Sequence, residues 1–279
     1  MKIENRKIGL IAGNGNFPLI FAQEAKRVGT EVVALAIKKE TNPSLENLVD
    51  RIHWVNVGQL GDLIEICKKE GITRAVMAGQ VRHTRLFGQL KLDARARALL
   101  AGVKDKKANS LLGAVADELL REGIELIDSA TYLSHLLPSP GILTRRKPTQ
   151  KEWRDIEFGH KMAKEIAGLD IGQTVVVKDQ AVLAVEGMDG TDSTIKRGGK
   201  LGKGNVVVVK VSKPQQDRRF DLPIVGERTV EVLKQAKAKV LAFSARSTIL
   251  LDREKVVKNA NQNGISLVAV KEEESQKSR

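Results

Sequence analysis

The chain has 279 residues, with 47 lysines and arginines against 34 aspartates and glutamates, and its formal net charge is +13. Hydrophobic residues make up 42% and charged residues 29%, which fits a globular protein of one large or two ordinary domains and excludes a fibrous or disordered chain. The single cysteine, Cys67, excludes a disulfide framework and a thiolate-rich metal site. The longest purely apolar run, 32–37, is far shorter than the roughly 20 residues of a membrane helix.

The start of the chain does not resemble a secretory signal, because the apolar stretch that follows the charge-rich segment 1–7 breaks at Gly13. We therefore expect a cytoplasmic protein whose positive charge meets nucleic acid, a phosphorylated ligand or an anionic membrane surface. Aromatic residues are only 3% of the chain, which disfavours a surface that stacks nucleic-acid bases.

From residue 7 onward, β-branched runs alternate with amphipathic segments, a pattern typical of helices packed on a mostly parallel sheet. In chain order the predicted elements of the first half are strand 7–12, helix 17–28, strand 31–37, strand 52–57, helix 60–70, strand 73–78, helices 93–101 and 110–121, and strand 124–128. The sequence thus predicts an α/β protein with a Rossmann-like, nucleotide-binding N-terminal domain over 1–130.

Prolines, a glycine and three adjacent basic residues interrupt the periodicity at 131–148, which we interpret as an interdomain linker. A capping-box sequence at Thr149–Glu152 then predicts the start of a helix. The later predicted elements are a helix to about 167, a hairpin of strands 174–178 and 181–186, strand 205–211, helix 227–238, strand 240–243, helix 252–263 and strand 265–270. We expect a catalytic second α/β domain with a mixed sheet over 149–279, its charged tail disordered from about residue 271.

A glycine-rich segment at 13–18 (GNGNFP) joins the first predicted strand to a helix. Glycines allow close backbone approach and helix N-termini favour anions, so Gly13, Asn14 and Gly15 are candidates for binding a nucleotide phosphate. Pro18 at the third-glycine position and Lys38 after the second strand do not fit a dinucleotide fingerprint. The alternative is an ordinary tight turn.

A second candidate loop, 79–83 (GQVRH), follows the strand that ends at Ala78. Ligands of open α/β sheets bind beyond the carboxyl ends of the strands, so Gln80 is expected to face the same crevice as Gly13. We interpret His83 as a solvated loop residue.

The segment 186–192 (EGMDGTD) combines two glycines with three carboxylates. Mg²⁺ takes one or two carboxylates and keeps waters and substrate phosphates as its other ligands, so Asp189 and Asp192 are candidate metal ligands and Thr191 a candidate substrate-binding residue. The alternative is a turn at Asp189 followed by a helix that Thr191 or Asp192 caps.

The stretch 213–226 (KPQQDRRFDLPIVG) places cations and carboxylates between prolines, which is poor helix or strand material. Lys213, Arg218 and Arg219 could neutralise phosphate charge, while Asp217 and Asp221 could bind metal or orient water, as pyrophosphate hydrolysis requires. A surface ion-pair loop would explain the charges but not the framing prolines, so we favour a functional loop.

In order, the segments 12–18, 79–81, 186–192 and 213–223 resemble the motifs of the LpxI-type UDP-2,3-diacylglucosamine pyrophosphatases of lipid A assembly. The resemblance implies a two-domain enzyme that can dimerise and binds its substrate between the domains. It implies Mg²⁺-dependent hydrolysis of UDP-2,3-diacylglucosamine to UMP and 2,3-diacylglucosamine 1-phosphate, with water attacking the sugar-side phosphorus. By position, Asp221 matches the essential carboxylate, and Asp217, Asp189 and Asp192 are candidates for contacting metal or water.

The chain departs from this family at Ala108 and Asn109, where we expect an acidic pair. Any metal contact by that pair in relatives must be made elsewhere in this protein.

Other classes remain open: a non-catalytic nucleotide-sugar or nucleic-acid-binding protein and, less favoured because of Pro18 and Lys38, a nicotinamide-dependent oxidoreductase. Residues 1–140 carry 20 basic and 16 acidic side chains, against 27 and 18 in 141–279, so most of the surplus lies in the half that contains residues 213–221. We expect part of it to face a pyrophosphate and part to hold the protein peripherally at the cytoplasmic face of the inner membrane, where an acylated substrate resides. Nucleic acid is the weakest of the three partners.

Overall fold

The computed structural model describes residues 7–81, 91–103, 108–213 and 216–272. His83 and the predicted disordered tail after Glu272 lie outside these ranges. The chain forms two compact units: the first comprises Met1–Leu133 and Asp217–Asp221, and the second comprises Ser134–Gln216 and Leu222–Arg279. Within the described ranges, no helix is both long and apolar enough to span a membrane.

The first unit contains a five-stranded, fully parallel sheet in the spatial order β3-β2-β1-β4-β5. Its strands are β1 (Lys7–Ala12), β2 (Glu31–Ile37), β3 (Arg51–Val55), β4 (Arg74–Ala78) and β5 (Glu125–Leu126). The helices in its described part are α1 (Phe17–Arg27), α2 (Leu60–Lys69), α3 (Ala94–Ala101) and α4 (Ala108–Arg121), with a 3₁₀ turn at Pro43–Leu48. The strand order reverses between β1 and β4, the position at which doubly wound sheets bind ligands, and the Rossmann-like prediction is confirmed.

The core of this unit contains α2, α4 and one face of the sheet, with Ile64, Leu119 and Leu126 among its buried side chains. Cys67 belongs to it, and burial raises the pKa of the thiol to about 12, so the side chain acts as a protonated core residue. Phe220, distant in the chain, is partly buried against the same cluster.

The second unit has a mixed sheet, as predicted, and its six strands lie in the order β6-β13-β11-β9-β7-β8. Strands β9, β11 and β13 run parallel, while β6, β7 and β8 each run antiparallel to a neighbour. The strands are β6 (Gly141–Ile142), β7 (Thr174–Lys178), β8 (Ala181–Val185), β9 (Val207–Lys210), β11 (Val240–Ser244) and β13 (Ser266–Val270), with a separate parallel pair of β10 (Ile224–Val225) and β12 (Ile249–Leu250). The helices are α5 (Gln150–Gly168), α6 (Gly190–Leu201), α7 (Glu227–Gln235) and α8 (Arg253–Gln262), and a short 3₁₀ turn covers Ser134–Leu136.

Two local predictions in this unit are confirmed. The Thr149–Glu152 capping box starts α5, with both of its reciprocal hydrogen bonds present. Strands β7 and β8 form the hairpin, and Asp179 and Gln180 both have positive φ, as a two-residue primed turn requires. The buried carboxylate of Asp155 on α5 accepts hydrogen bonds from both turn amides, at 3.1 and 2.7 Å, and so ties the helix to the hairpin.

Part of the predicted linker is structured. Gly141 and Ile142 within 131–148 form β6, which pairs antiparallel with Ala269 and Val268 of β13 at the edge of the sheet. Two residues are too few to show an alternation of apolar and polar side chains, so the sequence pattern could not predict this strand. The strand forms by pairing with β13.

Candidate active site

The loops that leave β1 and β4 are joined by backbone hydrogen bonds. The amide of Asn14 donates to the carbonyl of Gln80 at 2.7 Å, and the amide of Gln80 donates to the carbonyl of Asn14 at 3.2 Å. Gly13 donates to the carbonyl of Ala78 at 2.8 Å. The structure therefore brings Gly13, Asn14 and Gln80 together at the switch point, as the sequence predicts.

Glycines are required for this close approach. A Cβ on Gly79, whose φ is +86°, would lie 2.6 Å from the carbonyl oxygen of Asn14, and one on Gly13 would lie 2.7 Å from that of Gln80. Gly15, with φ of +96°, is exposed beside them in open space. The backbone pairing at the switch point thus depends on residues without side chains.

Substituting Gly79 by alanine is expected to lower the free energy of unfolding by about 1–3 kcal/mol through strain at positive φ, and by more through the clash with Asn14. Gly71→Ala is the matched control, because Gly71 also has a positive φ but nothing lies within 4 Å of the position that a Cβ would occupy there. Urea unfolding measures both variants. Equal decreases in the free energy of unfolding for the two variants would show that the close approach of residue 79 to Asn14 adds no destabilisation.

The segment Asp217–Asp221, called here the 217–221 loop, groups with the first unit, although its place in the sequence assigns it to the predicted second domain. The amide of Ser129, just beyond β5, donates to the carbonyl of Arg218 at 2.9 Å. The buried Ser129 hydroxyl lies 2.7 Å from the carbonyl oxygen of Arg219 and 3.0 Å from that of Met77 in β4. The loop is therefore fastened at the carboxyl edge of β4 and β5.

Within the loop, Asp217 and Arg219 form a bidentate ion pair. Arg219 Nε lies 2.9 Å from Asp217 Oδ1, and one terminal nitrogen lies 2.7 Å from Oδ2. The hydrogen bond from Arg219 lowers the pKa of Asp217, and the same bond raises the pKa of Arg219. Asp217 therefore stays ionised near neutrality, and its stabilising contribution is present above the unfolded pKa of about 3.9 and lost as pH falls through the lowered folded pKa.

Arg218 and Asp221 complete the loop. Arg218 Nε donates to Asp128 Oδ2 at 2.7 Å in a pair that is more than a third exposed, while Asp128 Oδ1 accepts from the amide of Ala130. The amide of Asp221 donates to the carbonyl of Asp217 at 2.9 Å, and Oδ2 of the Asp221 carboxylate is buried. The loop thus presents two arginines and a partly buried carboxylate on one short turn.

In the second unit, helix α6 begins at Gly190, and neither Thr191 nor Asp192 caps it, so the capping alternative is wrong. Asp189 is ion-paired with Arg197, and the hydrogen bond from Arg197 lowers its pKa. Asp192 accepts a hydrogen bond from Arg228 at 2.7 Å.

Thr191 belongs to a polar cluster that sequence reasoning missed in part. Its hydroxyl donates to Glu186 at 2.7 Å and accepts from Lys210 at 3.0 Å, and both partners are buried. Lys210 ends the apolar strand β9, where a buried lysine gives no sequence signal. Lys213, the other predicted substrate-binding residue here, pairs with Asp170 at 2.8 Å.

The described residues contain no group of three or more histidines, cysteines, aspartates or glutamates placed to hold a metal ion. Three of the candidate carboxylates, those of Asp189, Asp192 and Asp217, each form an ion pair with an arginine. Mg²⁺ that arrives with a polyphosphate needs only one or two protein carboxylates, so the Mg²⁺ expected from the sequence stays a prediction.

Two protein-family models match the chain in succession: the LpxI N-terminal domain over residues 7–136 and the LpxI C-terminal domain over residues 139–268. Among curated proteins, the UDP-2,3-diacylglucosamine pyrophosphatase LpxI of Caulobacter vibrioides is 30% identical over 280 residues, which cover 96% of this chain and 99% of that protein.

Two solved structures share part of the fold at low sequence identity. The biotin carboxylase domain of Hydrogenobacter thermophilus 2-oxoglutarate carboxylase matches 71% of this chain and 41% of its own, with 12% identity and a TM-score of 0.28. Campylobacter jejuni biotin carboxylase matches 71% of this chain and 42% of its own, with 9% identity and a TM-score of 0.29. The chain spans less than half the length of either protein.

Proposed function

Because this chain belongs to the LpxI family, we propose that it hydrolyses the pyrophosphate bond of UDP-2,3-diacylglucosamine, producing UMP and 2,3-diacylglucosamine 1-phosphate for lipid A synthesis. The observation that supports this most is the shared position of two motifs. The paired loops at Asn14 and Gln80 and the 217–221 loop both lie at the carboxyl edge of the first sheet.

Each part of that edge has a role in the proposed reaction. Gly15, Asn16 and the N-terminus of α1 are the proposed donors of backbone amides to a phosphate group, because the amides of Gly13 and Asn14 already donate to Ala78 and Gln80. Arg218 and Arg219 offset the charge that grows on the pyrophosphate oxygens. Arg219 is held in position by Asp217, which is a positioning residue rather than a base because its pKa is lowered.

Asp221 is the proposed general base. It orients a water and takes its proton as the water oxygen bonds to the sugar-side phosphorus. The bond from that phosphorus to the bridging oxygen breaks, and the bridging oxygen leaves with UMP. Mg²⁺, held through Asp221 and the substrate phosphates, would supply further charge neutralisation.

Three further expectations belong to this proposal. Thr191 and Lys213 of the second unit contact the substrate, with Lys210 as an added candidate because it donates to Thr191. The protein associates peripherally with an anionic membrane through its basic surplus, since its substrate is acylated. It also acts as a homodimer.

The proposal is tested by incubating the protein with UDP-2,3-diacylglucosamine in ¹⁸O-enriched water, with and without Mg²⁺. UMP should accumulate with time when Mg²⁺ is present, and the label should appear in 2,3-diacylglucosamine 1-phosphate. Label in UMP would place the attack on the other phosphorus. A stoichiometric complex without product under either condition would favour the non-catalytic binding protein.

A further inference from the structure

The carboxyl ends of the parallel strands β9, β11 and β13 meet around the carboxylate of Glu272. Lys164 on α5 donates to Glu272 Oε1 at 2.7 Å, Ser212 beyond β9 donates to the same oxygen at 2.6 Å, and Ser244 at the end of β11 also donates to it. The Ser247 hydroxyl lies 3.1 Å from that of Ser212. We call these four residues the serine–lysine cluster; Lys164, Ser212 and Ser244 are its donors to Glu272.

The cluster is built to hold an anion. Ser212 and Ser244 are 3% and 0% exposed, and Lys164 is further held by the carbonyl of Ser212 at 3.0 Å. Burial by itself would raise the pKa of Glu272, but the hydrogen bonds from Lys164, Ser212 and Ser244 outweigh it and the pKa is lowered. The ionised form of the carboxylate is therefore the one that the cluster stabilises.

We propose that the serine–lysine cluster is a binding site for a phosphate group and that the Glu272 side chain occupies it until a phosphorylated ligand displaces it. An ammonium and several hydroxyls are phosphate-type donors, and a phosphate would distribute them over its oxygens, whereas Glu272 takes three on one oxygen. The position also agrees, because ligands of open α/β sheets bind beyond the carboxyl ends of parallel strands.

The occupant is also easily displaced. Glu272 lies two residues beyond the end of β13, and its side chain is 31% exposed, so it can leave without breaking a strand. Glu272 would then act as a built-in competitor that weakens phosphate binding. This inference concerns the second unit alone and does not rest on the proposed hydrolysis.

The test removes the competitor and measures binding of inorganic phosphate. Glu272→Ala is expected to lower the thermal unfolding midpoint, because the donors lose their anion, and phosphate is expected to restore it at matched ionic strength in chloride. By calorimetry, phosphate should bind this variant at least tenfold more tightly than the parent chain. Glu165→Ala, which removes an exposed glutamate next to Lys164, is the matched control and should behave like the parent.

A second variant separates a phosphate site from a simple tether of the chain end. Lys164→Met combined with Glu272→Ala should lose the gain in phosphate binding while remaining folded by circular dichroism. The inference is overturned if phosphate fails to stabilise Glu272→Ala more than the control, or if the double variant keeps the gain.

Parallel titrations with UMP and glucose 1-phosphate identify the source of the phosphate. Tighter binding of either ester than of inorganic phosphate would assign the cluster to that ligand. Equal or weaker binding of both would assign it to free phosphate.

Discussion

Asp221→Asn is expected to reduce turnover of UDP-2,3-diacylglucosamine by about 10²–10⁴-fold, the range typical of losing a general base. Asparagine preserves the size of the side chain and the backbone hydrogen bond from residue 221 to the carbonyl of Asp217, so the 217–221 loop should keep its shape. The loss should therefore appear in kcat, with KM changed by only a few fold. Rates of UMP release at saturating substrate and Mg²⁺ provide the measurement.

Asp62→Asn is the matched control, since Asp62 is an exposed aspartate on α2 of the same unit. It should leave both kinetic constants unchanged. A folded Asp221→Asn protein that turns over near the parent rate would remove Asp221 from the chemistry and leave the family assignment without its proposed base.

Arg219→Ala is expected to lower kcat/KM by about 10²-fold, comparable to removing one preorganised donor to a transition-state oxyanion. Arg219→Lys should recover only part of this loss, because lysine keeps the charge but cannot form the two-pronged contact with Asp217. Arg27→Ala on α1 is the control, since Arg27 is an exposed arginine that pairs with Glu24.

This effect should not depend on pH in the neutral range. Arg219 lowers the pKa of Asp217, so the ion pair persists as pH falls from about 8 to 5, and the parent-to-variant rate ratio should stay constant there. A ratio that collapses towards one near pH 6 would mean that another titrating group controls Arg219. Full activity of Arg219→Lys would show that only charge matters at this position.

The first sheet was largely predictable from sequence, because β1 and β2 are nearly continuous apolar runs, as fully buried parallel strands are. The rule that ligands bind beyond the carboxyl ends of the strands predicted that Gln80 faces the same crevice as Gly13, whereas the backbone pairing of Gln80 with Asn14 is known only from the structure. The position of the 217–221 loop did not follow from sequence. It depends on Ser129, a single serine about 90 residues earlier that binds backbone carbonyls, and such a contact leaves no pattern in either segment.

Charged partners were equally hidden. The sequence shows that Asp189, Asp192 and Asp217 are carboxylates, but not that each is paired with an arginine. The sequence did not predict the roles of Lys210 and Glu272, for opposite reasons. Lys210 ends an apolar strand, and Glu272 begins a polar tail. Both became visible only once the strand ends were brought together.

The membership of Asp217–Asp221 in the first unit has a consequence for biosynthesis. A ribosome that has released residues 1–133 has made the whole parallel sheet but not the loop that Ser129 fastens to it, and that loop emerges only after most of the second unit has been translated. The nascent first unit therefore lacks the two loop carbonyls that Ser129 binds in the complete chain, and the Met77 carbonyl is the one partner of its hydroxyl described above that has already been made. For the same reason, a single truncation of the chain cannot produce a fragment that contains the complete first unit without most of the second unit.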